Sequence, residues 1–459
     1  MAPTLETNAP QRGPDVRLAA LVRLAAPILL SQLAVMALGV IDTVMAGRLS
    51  ATDLAAVAIG SSVYASVFVG AMGVLQALTP IAGHHFGARR YREIGVDLGQ
   101  TLWLALALSL LGVPALLANP LWLHLLGVEP RVGAVASQYL FAVGVGLPAA
   151  LATRAFIAVN AAVSRPTVTM VINIAALAAK VPLNLVFIRG FGPLPPLGGA
   201  GCGVATAVLL WAILLANFAV WRLDPFYARF RAPPGTSRRP QWARQRELLR
   251  LGLPSGGSVL IEVTSFTFIT LLLAPFGAVA VAGHQILVNV VSVLFMVPLA
   301  LGVAGSVLVS QALGAGRPAL ARRAAGRSFA LALGIAVVAS ASVYLAREPL
   351  VRAFTTDTAV AAAALGLVGL AAIFHVFDAI QGAAGFILRG YRVAFVPMLI
   401  HSVALWGLGL LGGYALAHHS SVGQRLGGAP SFWAAADVGL VLAATALTWL
   451  VVRVARAHK

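Results

Sequence analysis

The heptapeptide Leu21-Val-Arg23-Leu-Ala-Ala-Pro27 returns with small changes as Leu248-Leu-Arg250-Leu-Gly-Leu-Pro254. The two copies are 227 residues apart. The same offset separates Gly87-Ala88 from Gly314-Ala315 and Arg165 from Arg392. A constant offset at three separated places indicates an internal repeat, so both halves of the chain should have the same architecture and the same orientation.

The composition places these halves in a membrane. Hydrophobic residues make up 60% of the chain and charged residues 10%, and the mean hydropathy is +0.92. A typical soluble domain has roughly 25% charged residues. Apolar runs of about 20 residues, the length that crosses about 30 Å of hydrocarbon, recur along the whole chain. We predict an all-α integral membrane protein with about twelve transmembrane helices, near 21–46, 54–80, 96–118, 135–160, 167–189, 200–221, 249–274, 280–311, 328–346, 360–388, 394–417 and 434–453.

A long basic connection divides the predicted helices six and six. Two halves of the same orientation form a parallel repeat, which predicts two six-helix lobes related by a pseudo-two-fold axis along the membrane normal, with a cavity between them. The predicted organisation is a cytoplasmic tail 1–20, an N-lobe 21–221, a basic cytoplasmic linker 222–248, a C-lobe 249–453 and a cytoplasmic tail 454–459.

The formal net charge of +18 is unevenly distributed. If the N-terminus is cytoplasmic, 25 of the 32 Lys and Arg residues lie on the cytoplasmic side and 6 on the other, with Lys180 between them. This asymmetry follows the positive-inside rule and predicts that both termini are cytoplasmic. The charge therefore indicates topology and a lipid bilayer as partner, not nucleic acid. The single cysteine, Cys202, excludes an intrachain disulfide.

Three acidic residues lie deep in predicted spans: Asp42, Glu262 and Asp378. The other acids, including Asp97 and Asp437, fall in loops, tails or span ends. A charge at the bilayer centre costs about 2.5 to 3.5 kcal/mol even on a lenient scale.

Glu262 shares a helix face with several serines, and Asp378 shares one with Gln381. Such faces can simply bond neighbouring helices. Two carboxylates in one half instead favour a site for a coupling cation, in which Glu262 and Asp378 would be the metal ligands for Na⁺ or would hold a proton.

Lys180 lies near the middle of the fifth span, too far from either end for its side chain to reach the interface. Asn173, Lys180 and Asn184 are spaced seven and four residues apart and share one helix face. A buried ammonium needs an acidic partner, and Asp42 is the one deep acid in this half. We predict an ion pair between Lys180 and Asp42 that a proton or a cationic drug could open.

Other chemistries lack a complete set of residues. We find no Walker A sequence, nucleophile elbow or HExxH motif. The pairs His84-His85 and His418-His419 are interpreted as surface histidines, so we expect no enzyme. A flippase for lipids or lipid-linked precursors stays open as an alternative, although a cavity for anionic headgroups should contain several deep basic residues, and Lys180 alone qualifies.

Several motifs resemble the multidrug and toxic compound extrusion (MATE) family in its NorM branch. They are Pro27, Gln32, Ile41-Asp-Thr-Val-Met-Ala-Gly47, Pro182-Leu-Asn-Leu-Val-Phe-Ile-Arg-Gly190, Leu197-Gly-Gly-Ala-Gly-Cys-Gly-Val-Ala-Thr206, Glu262, Ala282-Gly-His-Gln285, Asp378-Ala-Ile-Gln381 and Ile387-Leu-Arg-Gly390. The resemblance implies a transporter of the bacterial inner membrane that exports cationic amphipathic drugs in antiport with Na⁺ or H⁺, by alternating access of two lobes. It implies no cofactor besides the coupling ion and no obligate protein partner.

By position, the resemblance makes Asp42 the N-lobe acid and Glu262 and Asp378 the C-lobe cation pair. It departs from the family at Lys180, where NorM-type chains usually carry asparagine. The candidate N-lobe polar site consists of Gln32, Asp42, Asn173, Lys180 and Asn184. The candidates for the drug cavity are Met36, Phe266, Gln285, Phe295 and Met296.

Overall fold

The computed structural model describes residues 15–125, 127–231, 239–421 and 427–458. Within these ranges, twelve helices are long and apolar enough to cross a membrane. They are α1 (Leu18–Gly47), α2 (Ala51–Gly87), α3 (Tyr91–Leu121), α4 (Pro130–Ala162), α5 (Pro166–Arg189), α6 (Ala200–Leu223), α7 (Trp242–Phe276), α8 (Ala278–Gly314), α9 (Pro318–Leu345), α10 (Thr358–Gly390), α11 (Phe395–His419) and α12 (Gly428–Ala457). No β-strand occurs in the described ranges. The predicted all-α architecture of twelve helices is confirmed.

Local sequence explains where these helices begin. Ser50 caps α2 by accepting the N–H of Asp53, and Asp357 caps α10 by accepting the N–H groups of Ala359 and Val360. Prolines occupy the first turns of α4, α5 and α9, where their missing N–H costs no hydrogen bond.

Several helices extend beyond the predicted spans. Helix α7 begins at Trp242 rather than 249, α9 at Pro318 rather than 328, and α12 at Gly428 rather than 434. In α7 the additional turns carry Arg244, whose guanidinium bonds Asp97 at 2.6 Å and also Glu93 of α3. Hydropathy does not predict such turns because their charged residues lie outside the apolar run. Parts of the predicted tails and linker, residues 1–14, 232–238 and 459, lie outside the described ranges.

The sequence repeat reappears as reciprocal contacts where α2 and α8 end. A Cβ placed on Gly87 would lie 2.0 Å from the backbone oxygen of Gln311, and a Cβ placed on Gly314 would lie 2.0 Å from that of His84. Both Gly87/Gly314 and His84/Gln311 are 227 residues apart. Each lobe therefore presents to the other the contact that it receives, as a pseudo-two-fold axis requires.

The offset changes by one residue after the fourth helix of each half. Ser164 and Arg392 adopt positive φ angles of 60° and 61°. The next N–H in each half, that of Arg165 and that of Val393, bonds a carbonyl five residues back at 2.8 Å. Val393 is thus the counterpart of Arg165, and the sequence match of Arg165 with Arg392 was wrong. One additional residue between the second and fourth helices of the C-half accounts for the shift.

Both termini lie on one side of the bundle, which we call the terminal face; α1 begins there and α12 ends there. Helices α2 and α8 also end at this face, and their close contact joins the lobes. Helices α2 and α7 pack closely as well, since a Cβ on Gly73 would lie 2.5 Å from the Cα of Gly256.

Helix α11 is irregular at its centre. Residues Ser402–Gly412 form a π-helix between two α-helical segments, Phe395–His401 and Gly413–His419. Helix α12 lies directly against this part, where a Cβ on Gly439 would be 2.3 Å from the backbone oxygen of Ala404.

Candidate cation sites and the inter-lobe cleft

The predicted ion pair is present in the N-lobe. The Nζ of Lys180 lies 2.8 Å from Oδ1 of Asp42, joining α5 to α1. Lys180 is 1% exposed and Asp42 6% exposed, so water screens this pair very little.

Two polar side chains complete the surroundings of the pair. Lys180 donates a hydrogen bond of 2.6 Å to Oγ1 of Thr206, which lies 3.2 Å from the other oxygen of Asp42. Asn184 donates to Oδ1 of Asp42 at 2.8 Å. Both carboxylate oxygens are therefore engaged, which stabilises the ionised form of Asp42. The sequence analysis quoted Thr206 in a motif but gave it no role.

Asn173 and Gln32 lie apart from this site. Helices α1 and α5 run in the same direction, and Asn173 donates to Ser31 at 2.7 Å with the same sequence separation, 142 residues, as Asn184 and Asp42. The two contacts are eleven residues apart along each helix, or about 16 Å. A shared helix face predicted that Asn173 and Lys180 point the same way, but the axial distance separates their contacts.

In the C-lobe, Asp378 begins a chain of polar contacts. The amide of Gln381 donates to Asp378 at 2.9 Å, and the Gln381 oxygen meets Nε2 of His401 on α11. Asp378, Gln381 and His401 are all buried. Glu262 is half-buried on α7 and makes no hydrogen bond with the described residues. The sequence analysis missed His401, because it belongs to none of the quoted motifs and lies close to the predicted start of its span.

A cleft of about 800 Å³ lies between the lobes and extends toward the face opposite the termini. Asp42 lies on its wall, and most of the lining is apolar. The other lining residues include Met36, Thr43, Ser61, Tyr139, Asn289, Leu350 and Phe354.

The candidates for the drug cavity have different surroundings. Met36 lines the cleft, and exposed Gln285 bonds Asn289 on the cleft wall at 3.5 Å. Phe266 packs on Phe374 within the C-lobe, with 5.5 Å between ring centroids. Phe295 lies against Gly382 of α10, and Met296 is half-buried beside it on α8.

A smaller cavity of about 140 Å³ lies between the lobes, nearer the terminal face. Gln32, Arg154 and Arg389 line it. The sequence analysis counted Arg154 with the cytoplasmic loops, but it lies eight residues before the end of α4. Its guanidinium lies over the ring of Phe68, 5.0 Å from the centroid.

Two more interpretations need correction. His84 and His85 are half-buried rather than surface residues: His84 contacts the backbone oxygen of Gly390 at 3.0 Å, and His85 lies 3.2 Å from Asp97. Asp97 and Asp437 are 5% and 7% exposed, so neither is a solvated residue at a span end. Both histidines pack where the lobes meet, because the helix of α2 continues beyond the predicted span.

Twelve spanning helices in two repeated lobes, a cleft between them and buried carboxylates in both define a secondary membrane transporter. The MatE family model matches residues 27–186 and 254–415, and the two matches begin 227 residues apart. The chain is 42% identical over 434 residues to a probable multidrug resistance protein NorM of Aromatoleum aromaticum, covering 92% of this chain and 91% of the relative. It is 36% identical over 455 residues to the multidrug resistance protein PmpM of Pseudomonas aeruginosa, covering 97% and 94%.

Solved structures have the same fold. A eukaryotic MATE transporter, AtDTX14, superposes with a TM-score of 0.85 at 22% identity, covering 96% of this chain and 97% of that one. An outward-facing multidrug resistance MATE transporter superposes with a TM-score of 0.87 at 17% identity, covering 97% of both. The chain belongs to the MATE family, in its NorM branch.

Proposed function

We propose that this chain is a secondary active multidrug efflux transporter. It exports cationic amphipathic drugs and dyes in antiport with Na⁺ or H⁺, and its two lobes give alternating access to the cleft between them. It works in the bacterial inner membrane with the terminal face toward the cytoplasm. The multidrug resistance names of relatives in the NorM branch support this function.

The observation that carries the proposal is the carboxylate of Asp42 on the wall of a largely apolar cleft of about 800 Å³. Apolar walls accept the hydrophobic part of an amphipathic drug without fixing its shape. The carboxylate attracts the positive group, and the low dielectric of the site strengthens that attraction. With the lobes in contact at the terminal face and apart at the opposite face, the cleft belongs to the outward-facing state.

The coupling ion acts in the C-lobe. Glu262 and Asp378 are two buried acids with the amide of Gln381 beside them. Binding of one cation compensates part of their charge, so the loaded and empty sites favour different packing of α7, α10 and α11. The ion gradient then biases the exchange between the two lobe arrangements, because a ligand shifts an equilibrium by its difference in affinity for the two states.

In the N-lobe, the Lys180–Asp42 pair takes the part of a switch. A cationic drug or a proton that reaches Asp42 competes with the Lys180 ammonium for the same oxygen. Release of the pair leaves Lys180 with Thr206 alone and frees α5 to move against α1. The asparagine that is usual in relatives has no charge to release, so this feature belongs to the present chain.

The flippase alternative fits the cleft less well. An anionic headgroup needs unpaired basic residues, but Asp42 neutralises Lys180, and the carboxylate rather than the ammonium lines the cleft.

Efflux from cells tests the proposal. Cells that express the chain should lose a preloaded cationic dye such as ethidium faster than cells with an empty vector, and a protonophore should slow this loss. The matched measurement is the translocation of headgroup-labelled lipid in vesicles that contain the purified protein. Lipid translocation without dye efflux would support the flippase and overturn the proposal.

A further inference from the structure

Asp437 is buried in the C-lobe without any polar partner. It is 7% exposed, and neither of its carboxyl oxygens makes a hydrogen bond with the described residues. It lies nine residues, or about 14 Å, beyond the start of α12, and twenty residues before its end. Buried polar groups in proteins are nearly always bonded, so an acid with two free oxygens requires an explanation.

A structural role as helix adhesive does not explain it. Polar side chains join membrane helices through hydrogen bonds, and Asp437 makes none with the described residues. A charge without a partner at this depth is unfavourable. Asp437 must therefore carry something that neutralises it.

The level of Asp437 in the bundle links it to the coupling site. One turn earlier, the ring of Trp433 packs on Phe374 of α10 at 5.3 Å, and its N–H donates to Nδ1 of His284 on α8 at 3.1 Å. Helices α10 and α12 both run toward the terminal face. Four residues beyond the Phe374–Trp433 contact, Asp378 and Asp437 therefore lie at the same depth on neighbouring helices.

The titratable groups that surround this level are known for each element that packs against α12. They are Glu262 on α7, His284 on α8, His375 and Asp378 on α10, and His401, His418 and His419 on α11, while α9 contributes Arg322, Arg323 and Arg327 near the terminal face. His284 and His401 are already bonded, to Trp433 and Gln381. His375 is 1% exposed, and its Nδ1 has no partner in the described ranges.

We propose that Asp437 is a second cation site of the C-lobe, that its ligand is a proton, and that this proton is exchanged in each transport cycle. A proton is the cation that a single carboxyl group can hold, whereas Na⁺ needs several oxygen ligands at once. Proton uptake removes the buried charge, and release restores it beside Asp378. The C-lobe thus stores charge at two places on one level, and the proposal rests on the antiport function stated above.

A coupling measurement tests the exchange. In proteoliposomes with the membrane potential held at zero, each exchanged proton changes the equilibrium dye ratio by about tenfold per unit of imposed pH gradient. The variant D437N should still accumulate dye, but its ratio should be about tenfold lower than that of the wild type at a gradient of one unit. The variant D437E should regain the wild-type ratio. A D437N ratio equal to that of the wild type overturns the site, and so does wild-type accumulation that follows sodium alone.

A labelling measurement on the wild type covers the case that D437N does not fold. Hydrophobic carbodiimides modify protonated carboxyl groups in apolar surroundings, and mass spectrometry locates the modified peptide. Asp437 should be labelled at neutral pH and labelled several-fold less at high pH or with saturating dye. The exposed carboxylate of Asp357, bonded to two backbone N–H groups, is the control that should stay unmodified. No labelling of Asp437, or labelling that neither pH nor dye changes, overturns the proposal.

The two proposals fail in different ways. Vesicles of wild-type protein that accumulate no dye under either a proton or a sodium gradient contradict the antiport function, and the labelling of Asp437 then decides the proton site alone. Normal accumulation with an unchanged D437N ratio contradicts the Asp437 site and leaves the antiport function standing.

Discussion

The ammonium of Lys180 lies 2.8 Å from Oδ1 of Asp42, and this contact joins α5 to α1 inside the N-lobe. Both residues lie within membrane-spanning helices and are almost fully buried. Each charge is tolerated because the other is present, so the pair behaves as one unit for stability. Its position on the wall of the cleft also makes it accessible to a cationic substrate.

Removal of either partner should destabilise the protein more than removal of both. Lys180→Met or Asp42→Asn leaves one buried charge unpaired, which costs about 3 to 5 kcal/mol. The double variant should lose clearly less than the sum of the two. Thermal unfolding of the purified proteins in detergent measures this coupling, and Thr206→Val, which removes a hydrogen bond but no charge, is the control. Additive losses would mean that the residues do not interact.

The same variants test the switch. If opening of the pair belongs to the transport cycle, Lys180→Met should export dye with a changed dependence on the coupling ion. Coupled stabilities together with unchanged ion dependence would make the pair structural only.

Neutralising the C-lobe acids should abolish gradient-driven efflux. Glu262→Gln and Asp378→Asn keep the shape of each side chain but remove the charge that binds the cation. Dye efflux from cells measures the loss, and surface expression must stay near that of the wild type. The matched controls are Asp357→Asn, at the exposed start of the helix that carries Asp378, and Glu348→Gln, which is also exposed. Asparagine caps a helix about as well as aspartate, so these controls should transport normally. Near-normal efflux in both test variants would contradict the assigned role.

The sequence predicted the Lys180–Asp42 pair because a deep lysine needs an acid and its half offers one. Thr206 was not assigned to the site, since a hydroxyl in an apolar span carries no signal of its own. Asp437 was placed at a span end because hydropathy located the apolar core of α12 and not its first turns, Gly428 to Phe432. Gln32 and Asn173 were assigned from motif and helix face, neither of which contains the axial distance to Asp42.

The contact at the terminal face should resist any added side chain. A Cβ on Gly314 would lie 2.0 Å from a backbone oxygen of the other lobe, so Gly314→Ala should favour the state in which the lobes separate there. Spin labels at Arg92→Cys and Arg323→Cys, on exposed residues of the two lobes in a Cys202→Ala background, would report a longer mean distance. The control is Gly326→Ala, because a Cβ at Gly326 meets no atom within 4 Å. An unchanged distance distribution for Gly314→Ala would count against this gate.

The Arg165–Asp224 pair predicts a small loss of stability in acid. The backbone N–H of Phe226 and the guanidinium of Arg165, 2.6 Å away, hold the pKa of Asp224 below its usual value of 3.8. The stabilisation is therefore complete above the unfolded pKa and disappears as the pH falls below it, through the lower folded value. The pair is partly exposed, so the loss should be at most about 1 kcal/mol. Asp224→Asn should flatten the Tm profile between about pH 5 and 3; an unchanged profile would remove the pair from the account.

Transport by purified protein under imposed gradients tests the central claim most directly. Proteoliposomes would be given a proton gradient, a sodium gradient or neither, and the accumulation of a cationic dye against its own gradient would be recorded. The account predicts accumulation with at least one gradient, none without a gradient, and none in the Glu262→Gln/Asp378→Asn double variant under any condition. Dye movement that is equal with and without the gradients, or unchanged in the double variant, would contradict it.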